Sequence, residues 1–347
     1  RKQLTVNLRQ EDGAAILCRQ VSTEWTRVRA FFEELRRRAG EEGFMAVVEV
    51  CGFNDWLLKM LAEYGCRELV LIQARNRSRQ KNDRRDANEL GELLWMNRHR
   101  LLAHQRIPGL RRVEPASPVD AAARQLTALR WRLGRQRTRT LNRVHHLLLK
   151  HNLHQEAPTK GLQTKKAKVW LRQLALNAID RLELDGLLAQ WELADAQIHD
   201  VETQLARLRE SHDKASLVGT LPGASAYSSL TIAARIGDFS RFPQPASLAN
   251  YWGLTPSCRN SGEATQRLGS ITKQGSALVR AMLSQLVIHA LRRDAWLRAW
   301  YQKIKRRRGA KIARVAVMRR LATTLWHMLK HQEAYQAGGP PRRRLSR

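Results

Sequence analysis

Three acidic residues stand where the sequence is otherwise apolar or basic. Glu49 ends an apolar segment, 44–50, that is typical of a buried strand, where an acid is costly without a partner. Asp83 and Asp86 lie three residues apart near the start of a predicted helix, so both project to one side. Carboxylates are ligands that Mg²⁺ prefers, and two such ions can stabilise the attacking and leaving oxygens of a phosphodiester. Helix capping is the alternative interpretation of the two aspartates.

A serine lies in a second stretch, much further along the chain, that is rich in glycine and basic residues. Ser261 directly precedes Gly262, and further glycines at 253, 269 and 275 allow tight turns and close backbone approach. Four basic residues here could contact phosphate: Arg259, Arg267, Lys273 and Arg280. An exposed hydroxyl could attack a phosphodiester and conserve its bond energy in a covalent intermediate. A serine beside glycine is also an ordinary turn former, and the residues alone favour that interpretation.

The elements that must position the carboxylates alternate between strand and helix over the first hundred residues. The pattern predicts a hairpin turning at Asp12-Gly13, followed by strands separated by helices, with Thr23 as the N-cap of the first helix. The predicted strands are 4–8, 15–18, 44–50 and 69–72, and the predicted helices are 23–39, 54–64 and 83–102. This order indicates an α/β domain with a mixed sheet and helices on its faces.

Two long helices are predicted beyond the prolines near residue 115. The first, 119–150, carries eight basic residues against one acid, Asp120, which favours a face toward nucleic acid over a mixed solvated face. The candidate contacts are Arg124, Arg130, Arg135, Arg139 and Arg143. The second helix has a heptad seam, typical of a coiled coil: Leu187, Trp191, Ala194, Ile198, Val201, Leu205 and Leu208. The two helices could pair within one chain or between chains.

The balance of charge points to a polyanionic partner. The chain has 62 Lys and Arg against 31 Asp and Glu, a net charge of +31, whose self-repulsion nucleic acid would relieve. A highly soluble basic protein is the alternative. A further basic cluster around Gly309 includes Arg306 and Arg307, which could contact phosphate or lie in a solvated loop. We expect Trp252, Trp296, Trp300 and Trp326 to lie in a core or an interface rather than to stack on bases.

Two classes of site are not expected. Cys18, Cys51, Cys66 and Cys258 are scattered without a CxxC pair, so structural zinc is not predicted. No apolar run reaches the roughly 18 residues of a membrane span, so we expect no membrane partner.

The acidic motifs resemble those of a known enzyme family. The stretch 48–52, with Trp56-Leu57 and 81–87, is similar to the catalytic domain of Piv-type DEDD transposases of the insertion sequence one-ten family. The resemblance implies a RuvC-like, ribonuclease-H-type fold with Glu49, Asp83 and Asp86 as the last three of four acidic ligands for Mg²⁺, or alternatively Mn²⁺. In the family the first aspartate precedes a segment like 1–6, so we expect this chain to begin too late to contain it.

The serine motif resembles the C-terminal domain of the same family. Gly253-Leu254-Thr255-Pro256, Ser261-Gly262 and 269–275 follow its GLxP…SG…GI[ST]KxG pattern, which implies that Ser261 is the nucleophile. Ser257 and Ser270 are weaker candidates. Leu221-Pro222-Gly223 also matches the family and resembles a helix–hairpin–helix turn.

The resemblance covers nearly the whole chain and implies its organisation. The expected parts are a RuvC-like domain at 1–107, a helical and coiled-coil connector at 108–213, a mainly α-helical domain at 214–333 and a disordered basic tail at 334–347. Expected partners are donor and target DNA, a bridge RNA that guides the choice of site, and further copies of the chain in a dimer or tetramer, in the cytoplasm of a bacterium or archaeon. The carboxylates and the serine would meet across two protomers. The alternatives are a structure-selective RuvC-like nuclease that uses the carboxylates and water, and a non-catalytic nucleic-acid-binding protein.

Overall fold

The chain folds into two compact units, residues 1–115 and 116–347, in a computed structural model. The structure describes residues 2–50, 54–73, 82–103, 105, 107, 110, 112–258 and 268–338. The boundary lies at 115/116, where the sequence suggested 107/108. From residue 116 onward the predicted connector and the predicted C-terminal domain share one unit.

The first unit contains two pairs of strands. β1 (Gln3–Arg9) and β2 (Ala15–Ser22) form the antiparallel hairpin expected around Asp12-Gly13, while β3 (Phe44–Glu49) and β4 (Cys66–Ile72) pair in parallel. In the described part of the chain no ladder joins the two pairs. Among the described residues, the expected mixture of strand directions is therefore present as two separate two-stranded sheets.

Three helices cover these strands: α1 (Trp25–Ala39), α2 (Asp55–Glu63) and α3 (Asp83–Leu102). Alternate residues of β3 pack on opposite sides. Phe44, Ala46 and Val48 join the core that includes residues of α1 and α2, whereas Met45 and Val47 pack with residues of α3. The unit is thus an α/β arrangement in which α3 occupies one face of β3.

The predicted cap of the first helix is wrong by one residue. Helix α1 begins after Glu24, which makes no side-chain capping bond, and the backbone N–H of Thr23 donates instead to Lys2 O at 3.1 Å. Thr23 is therefore held to the end of the hairpin rather than at the helix terminus.

Two 33-residue helices begin the second unit, α4 (Pro118–Lys150) and α6 (Ala178–Glu210), with the short α5 (Lys165–Gln173) between them. They pack antiparallel, as the ion pairs Arg130–Glu202 and Lys150–Asp180 require. The seam residues from Leu187 to Leu205 are buried, which confirms the heptad, and Leu208 packs at its edge. The two long helices, α4 and α6, therefore pair within one chain.

The remainder of the second unit is helical, apart from one hairpin. Its elements are α7 (Asp213–Val218), α8 (Ala226–Ile236), α9 (Pro245–Tyr251), β5 (Pro256–Cys258), β6 (Leu268–Ile271), α10 (Ala277–Arg293), α11 (Ala295–Arg308) and α12 (Ala310–His331). Trp252 and Trp326 lie in its core, and Trp326 Nε1 donates to Phe242 O at 2.7 Å. Beyond α12, Tyr335 and Gly338 both donate to the Asp294 carboxylate. No helix among the described residues is long and apolar enough to cross a bilayer.

Candidate active site

Glu49 lies at the carboxyl end of β3, opposite Ile72 of the neighbouring parallel strand. The ladder continues one step further, because Val50 N–H donates to Ile72 O at 2.9 Å. The carboxyl ends of parallel strands are where sites form in α/β proteins. Glu49 follows Met45 and Val47 in the alternation along β3, so its position belongs to the face that α3 covers.

Asp83 and Asp86 occupy the first turn of α3. The side chain of Asn82 caps this helix by accepting from the backbone N–H groups of Arg84 and Arg85, at 3.0 and 3.3 Å. Asn82 therefore fulfils the capping role to which the two aspartates could otherwise be assigned.

The three acids belong to neighbouring elements but do not form a metal cluster here. Helix α3 packs against β3, which brings its face to the strand that ends at Glu49. Among the residues that the structure describes, however, no three histidine, cysteine, aspartate or glutamate side chains are close enough to hold a metal ion. The oxygen donors suit Mg²⁺ chemically. A complete site would need these three brought closer together, or ligands from outside the described residues.

The serine motif lies on the β5–β6 hairpin of the second unit. Antiparallel pairing places Pro256 opposite Ile271 and Cys258 opposite Leu268. The chain between the two strands, 259–267, contains Ser261, Arg259 and Arg267, and these three lie outside the described residues. The ladder nevertheless fixes both ends of that nine-residue segment side by side.

The base of this hairpin depends on two close backbone approaches. A side chain on Gly275, whose φ is +75°, would collide with the carbonyl oxygen of Tyr251. A side chain on Gly253, with φ at +66°, would collide with the backbone of Gln274. Both positions need positive φ and the absence of Cβ, so glycine is required. The glycines expected from the motif therefore serve to build the hairpin.

The basic residues of the motif divide into two roles. Nη1 of Arg280 donates to the carbonyl oxygens of Trp252, Gln274 and Gly275, at 3.2, 3.0 and 3.3 Å. Arg280 thereby ties together the strands that enter and leave the hairpin. Lys273 is exposed, with φ at +54°, and its N–H donates to Gly253 O at 3.2 Å. Its ammonium remains at the surface, where phosphate could reach it.

Three further arginines lie close to the hairpin base and form what we term the arginine corner: Arg124, Arg235 and Arg241. The guanidinium of Arg241 lies over the ring of Tyr251, 4.6 Å from its centroid. Arg124 Nε donates to Ala234 O at 2.8 Å, beside Arg235. Burial, and then the neighbouring charge of Arg124, lower the pKa of Arg235 to about 10. This concentration of positive charge would attract an anion.

Sequence reasoning missed Arg235, Arg241 and Tyr251. Arg235 carried a signal, because it stands in the apolar segment Ala226–Ile236, where an uncompensated charge is unusual. Arg241 and Tyr251 meet only through the fold of the chain between α8 and α9, and nothing in their local sequence marks them.

The predicted nucleic-acid face of α4 separates into inner and outer arginines. Arg124 and Arg130 make internal contacts, Arg130 by pairing with Glu202 at 2.7 Å. Four others are exposed at spacings of three and four residues along one helix face: Arg132, Arg135, Arg139 and Arg143. Among the described residues these four have no carboxylate within ion-pair distance. Arg306 and Arg307 are likewise exposed, in the last turn of α11.

Comparison with known proteins places the hairpin inside a recognised domain. Residues 215–302 match the family described as "Transposase IS116/IS110/IS902 family". The matched segment begins in α7 and ends in α11. It therefore includes the glycines at the hairpin base, Arg280 and the segment that carries Ser261.

Individual relatives extend the likeness to most of the chain. A transposase for insertion sequence element IS1111A from Coxiella burnetii is 26% identical over 74% of this chain and 69% of its own length. A probable family 20 transposase from Pseudomonas aeruginosa is 26% identical over 93% of both chains. A pilin gene-inverting protein from Moraxella bovis is 25% identical over 47% of this chain and 52% of its own. With the family match over the hairpin, these comparisons show that the chain is similar to insertion-sequence transposases over most of its length and carries the matched transposase segment at 215–302.

Proposed function

We propose that this chain is a transposase of the IS110 family. It would cut and rejoin DNA with two sets of groups, the carboxylates of a RuvC-like first unit and the hydroxyl of Ser261 in the second. The observation that carries the proposal is the β5–β6 hairpin, whose ladder holds the two ends of the Ser261 segment side by side and whose base carries Lys273 and Arg280. The motif, its glycine-dependent base and the family match coincide in this one hairpin.

The serine would carry the strand between cutting and joining. Attack by Ser261 Oγ on a phosphorus atom forms a Ser–O–P bond as one P–O bond of the DNA strand breaks. The serine proton ends on the released sugar hydroxyl. Attack by the hydroxyl of a second strand end reverses these changes and regenerates the serine. No bond energy is lost, so no nucleotide cofactor is needed for rejoining.

The arginine corner supplies a reason for the DNA backbone to lie at this hairpin. Arg241 covers Tyr251, and Tyr251 in turn contacts Gly275 at the hairpin base. A phosphate near the hairpin would therefore lie within the field of the corner and of Lys273. Positive charge placed before the reaction stabilises the charge that develops on a phosphoryl oxygen.

Glu49, Asp83 and Asp86 would hold Mg²⁺, with Mn²⁺ as an alternative, because carboxylate oxygens at a strand end and a helix start match the preference of these ions. Bound there, the ion would polarise a phosphodiester oxygen. Thermal unfolding of the full chain tests this binding independently of catalysis. The melting temperature would be compared with and without Mg²⁺ at about 10 mM, because an ion that binds only the folded state raises it. We expect stabilisation that Asp83→Asn and Asp86→Asn abolish and that Asp55→Asn, an exposed acid in the first turn of α2, retains.

The charge of +31 supports a second nucleic acid besides the DNA. We propose a guide RNA in this role, with a homo-oligomer bringing the two sets of groups to one DNA. Sequencing of RNA that co-purifies with the protein, beside the DNA that flanks its gene, tests this part. One structured RNA matching the flanking DNA is expected, and a random sample of cellular RNA would argue against a guide.

Trapping of a covalent protein–DNA adduct tests the serine chemistry. We expect a denaturant-resistant adduct that Ser261→Ala abolishes and that Ser257→Ala and Ser270→Ala preserve, since these neighbours share the hairpin. The pilin gene-inverting relative, by its name, inverts a gene, an outcome in which cut strands are rejoined. Cleavage by Ser261→Ala at the wild-type rate would instead favour a nuclease that uses the carboxylates and water.

A further inference from the structure

Two tryptophans of α11 stack in parallel at the surface of the second unit. The ring centroids of Trp296 and Trp300 are 6.4 Å apart and their planes differ by 6°. Trp296 is 47% exposed, whereas Trp252 is 0% and Trp326 9% exposed. The sequence predicts a core or an interface position for Trp296, and this exposure excludes the core position. The next residue, Leu297, takes the buried position of that turn.

A guanidinium from the neighbouring helix completes this aromatic surface. Cζ of Arg320, on α12, lies 4.9 Å from the ring centroid of Trp296. Tryptophan is the aromatic ring that interacts most strongly with cations. Arginine planes and aromatic rings are also the two surfaces on which unpaired bases stack. Trp296, Trp300 and Arg320 together, which we term the tryptophan platform, thus combine the groups that such a base would meet.

The helices that carry the platform are rich in basic residues. Residues 295–332 contain eleven Lys and Arg and neither Asp nor Glu. Along α11, Trp296, Trp300, Lys303 and Arg307 follow spacings of four, three and four, so they share one face. Lys303 and Arg307 are exposed and have no carboxylate within ion-pair distance among the described residues. A nucleic-acid strand with a base on the platform would thus have its phosphates beside the cations of Lys303 and Arg307.

We infer that this face of α11 binds a single-stranded segment of nucleic acid, with an unpaired base on the tryptophan platform and phosphates at Lys303 and Arg307. Within a duplex the faces of a base are covered by its neighbours, so an exposed ring selects unpaired bases. A second copy of the chain is a less suitable occupant, because it would bring two strongly basic faces together. The inference does not depend on Ser261 or on the carboxylates.

Binding of the full-length protein to labelled oligonucleotides tests this inference. Fluorescence anisotropy would give Kd for a single-stranded oligodeoxythymidine and for a hairpin duplex, each over a range of salt concentrations. The single-stranded probe would have about 20 nucleotides, which is on the order of one or two binding sites for single-stranded DNA. We expect Trp296→Ala to weaken single-strand binding about tenfold with the salt slope unchanged, and to leave duplex binding unaltered. Trp296→Phe should keep most of the affinity. Arg307→Gln should lower the salt slope by about one.

Trp25→Ala is the matched control, since Trp25 is also exposed and also lies against a guanidinium, that of Arg29. This variant should bind like the wild type. The inference is overturned if Trp296→Ala and Trp296→Phe bind the single strand like the wild type, or if Trp296→Ala loses single-strand and duplex affinity equally. A change in sedimentation coefficient without loss of single-strand affinity would identify the platform as a contact between copies and would also overturn it.

Discussion

Nε2 of His212 lies 3.0 Å from Oδ1 of Asp120, a buried contact between residues 92 positions apart. Ala215 N–H donates to His212 Nδ1 at 3.3 Å, so Nε2 carries the hydrogen that Asp120 accepts. His212 is thus at once the N-cap of α7 and the link that holds this helix to the start of α4.

Loss of the His212 side chain is expected to destabilise the second unit. His212→Ala leaves the Asp120 carboxylate buried and removes the cap of α7, with Lys214 Nζ as its nearest remaining cation at 3.7 Å. Loss of a hydrogen bond to a buried carboxylate costs about 2 kcal/mol. Urea unfolding should show this loss, and the exposed His199→Ala serves as the control. Equal free energies of unfolding for the two variants would contradict the structural role of the pair.

The stability of the second unit should depend on pH through Asp180. Lys150 Nζ donates to its Oδ1 at 2.7 Å, while Asn177 and His151 contact its Oδ2. These bonds, that of Lys150 first, lower the pKa of Asp180 to about 2, and burial opposes them. Because the folded-state pKa lies below that of the unfolded chain, about 3.9, the stabilisation is present above pH 4. It is lost as the pH falls from about 4 toward 2.

Melting temperatures between pH 6 and pH 2, roughly the range over which carboxylates titrate, would measure this effect. The wild type should lose more stability than Asp180→Asn over the lower part of that range. Asp200→Asn changes an exposed aspartate of the same helix and should follow the wild type. Parallel curves for the wild type and Asp180→Asn would refute the assignment.

Gly275→Ala should disable the hairpin that carries the serine. Alanine at this position faces both a strained φ of +75° and a collision with Tyr251 O. We expect the free energy of unfolding to fall by more than about 1 kcal/mol, which is the usual cost of a non-glycine residue at positive φ. The yield of covalent adduct should fall at least about tenfold, on the order of what that cost implies. Gly161→Ala meets open space and should change neither quantity. Adduct formation by Gly275→Ala at the wild-type rate would show that the hairpin base is dispensable.

The outer arginines of α4 should contribute charge to nucleic-acid binding. Replacing Arg135, Arg139 and Arg143 by glutamine should flatten the dependence of log Kd on log salt by as much as about 0.9 for each phosphate that the helix no longer neutralises. Arg137→Gln is the matched control, because Arg137 on the same helix pairs with Asp195 at 3.2 Å. An unaltered salt slope in the triple variant would assign this face to solvent.

The sequence predicts best where a period or a motif repeats. The seam from Leu187 to Leu205 is predicted correctly because a heptad fixes which face is buried. The glycines at 253 and 275 are predicted to permit close backbone approach. Both lie at the base of the hairpin, where the backbones of Gln274 and Tyr251 leave no room for a Cβ atom. What fails depends on tertiary contacts. The hydrogen bond of Arg124 to Ala234 O, across 110 residues, is an example, because no local pattern reveals that partner.

The unpredicted part of the site follows from the same limit. Arg241 meets Tyr251 because the chain turns back between α8 and α9, and no spacing rule encodes that turn. Trp296 is a large aromatic residue of the kind that often packs in a core. Its exposure is decided by which face of α11 turns toward α12. Side-chain type indicates what chemistry is available, whereas the fold decides which side chains meet.

The most direct test of the central claim is to locate the covalent bond to DNA within the protein. A trapped adduct would be digested with protease and nuclease, and the modified peptide sequenced by mass spectrometry. The nucleotide should lie on Ser261, in the segment that β5 and β6 hold at both ends. A nucleotide on any other residue, or cleavage and rejoining with no protein-bound DNA under conditions that trap the adduct of a control enzyme, would contradict the serine mechanism.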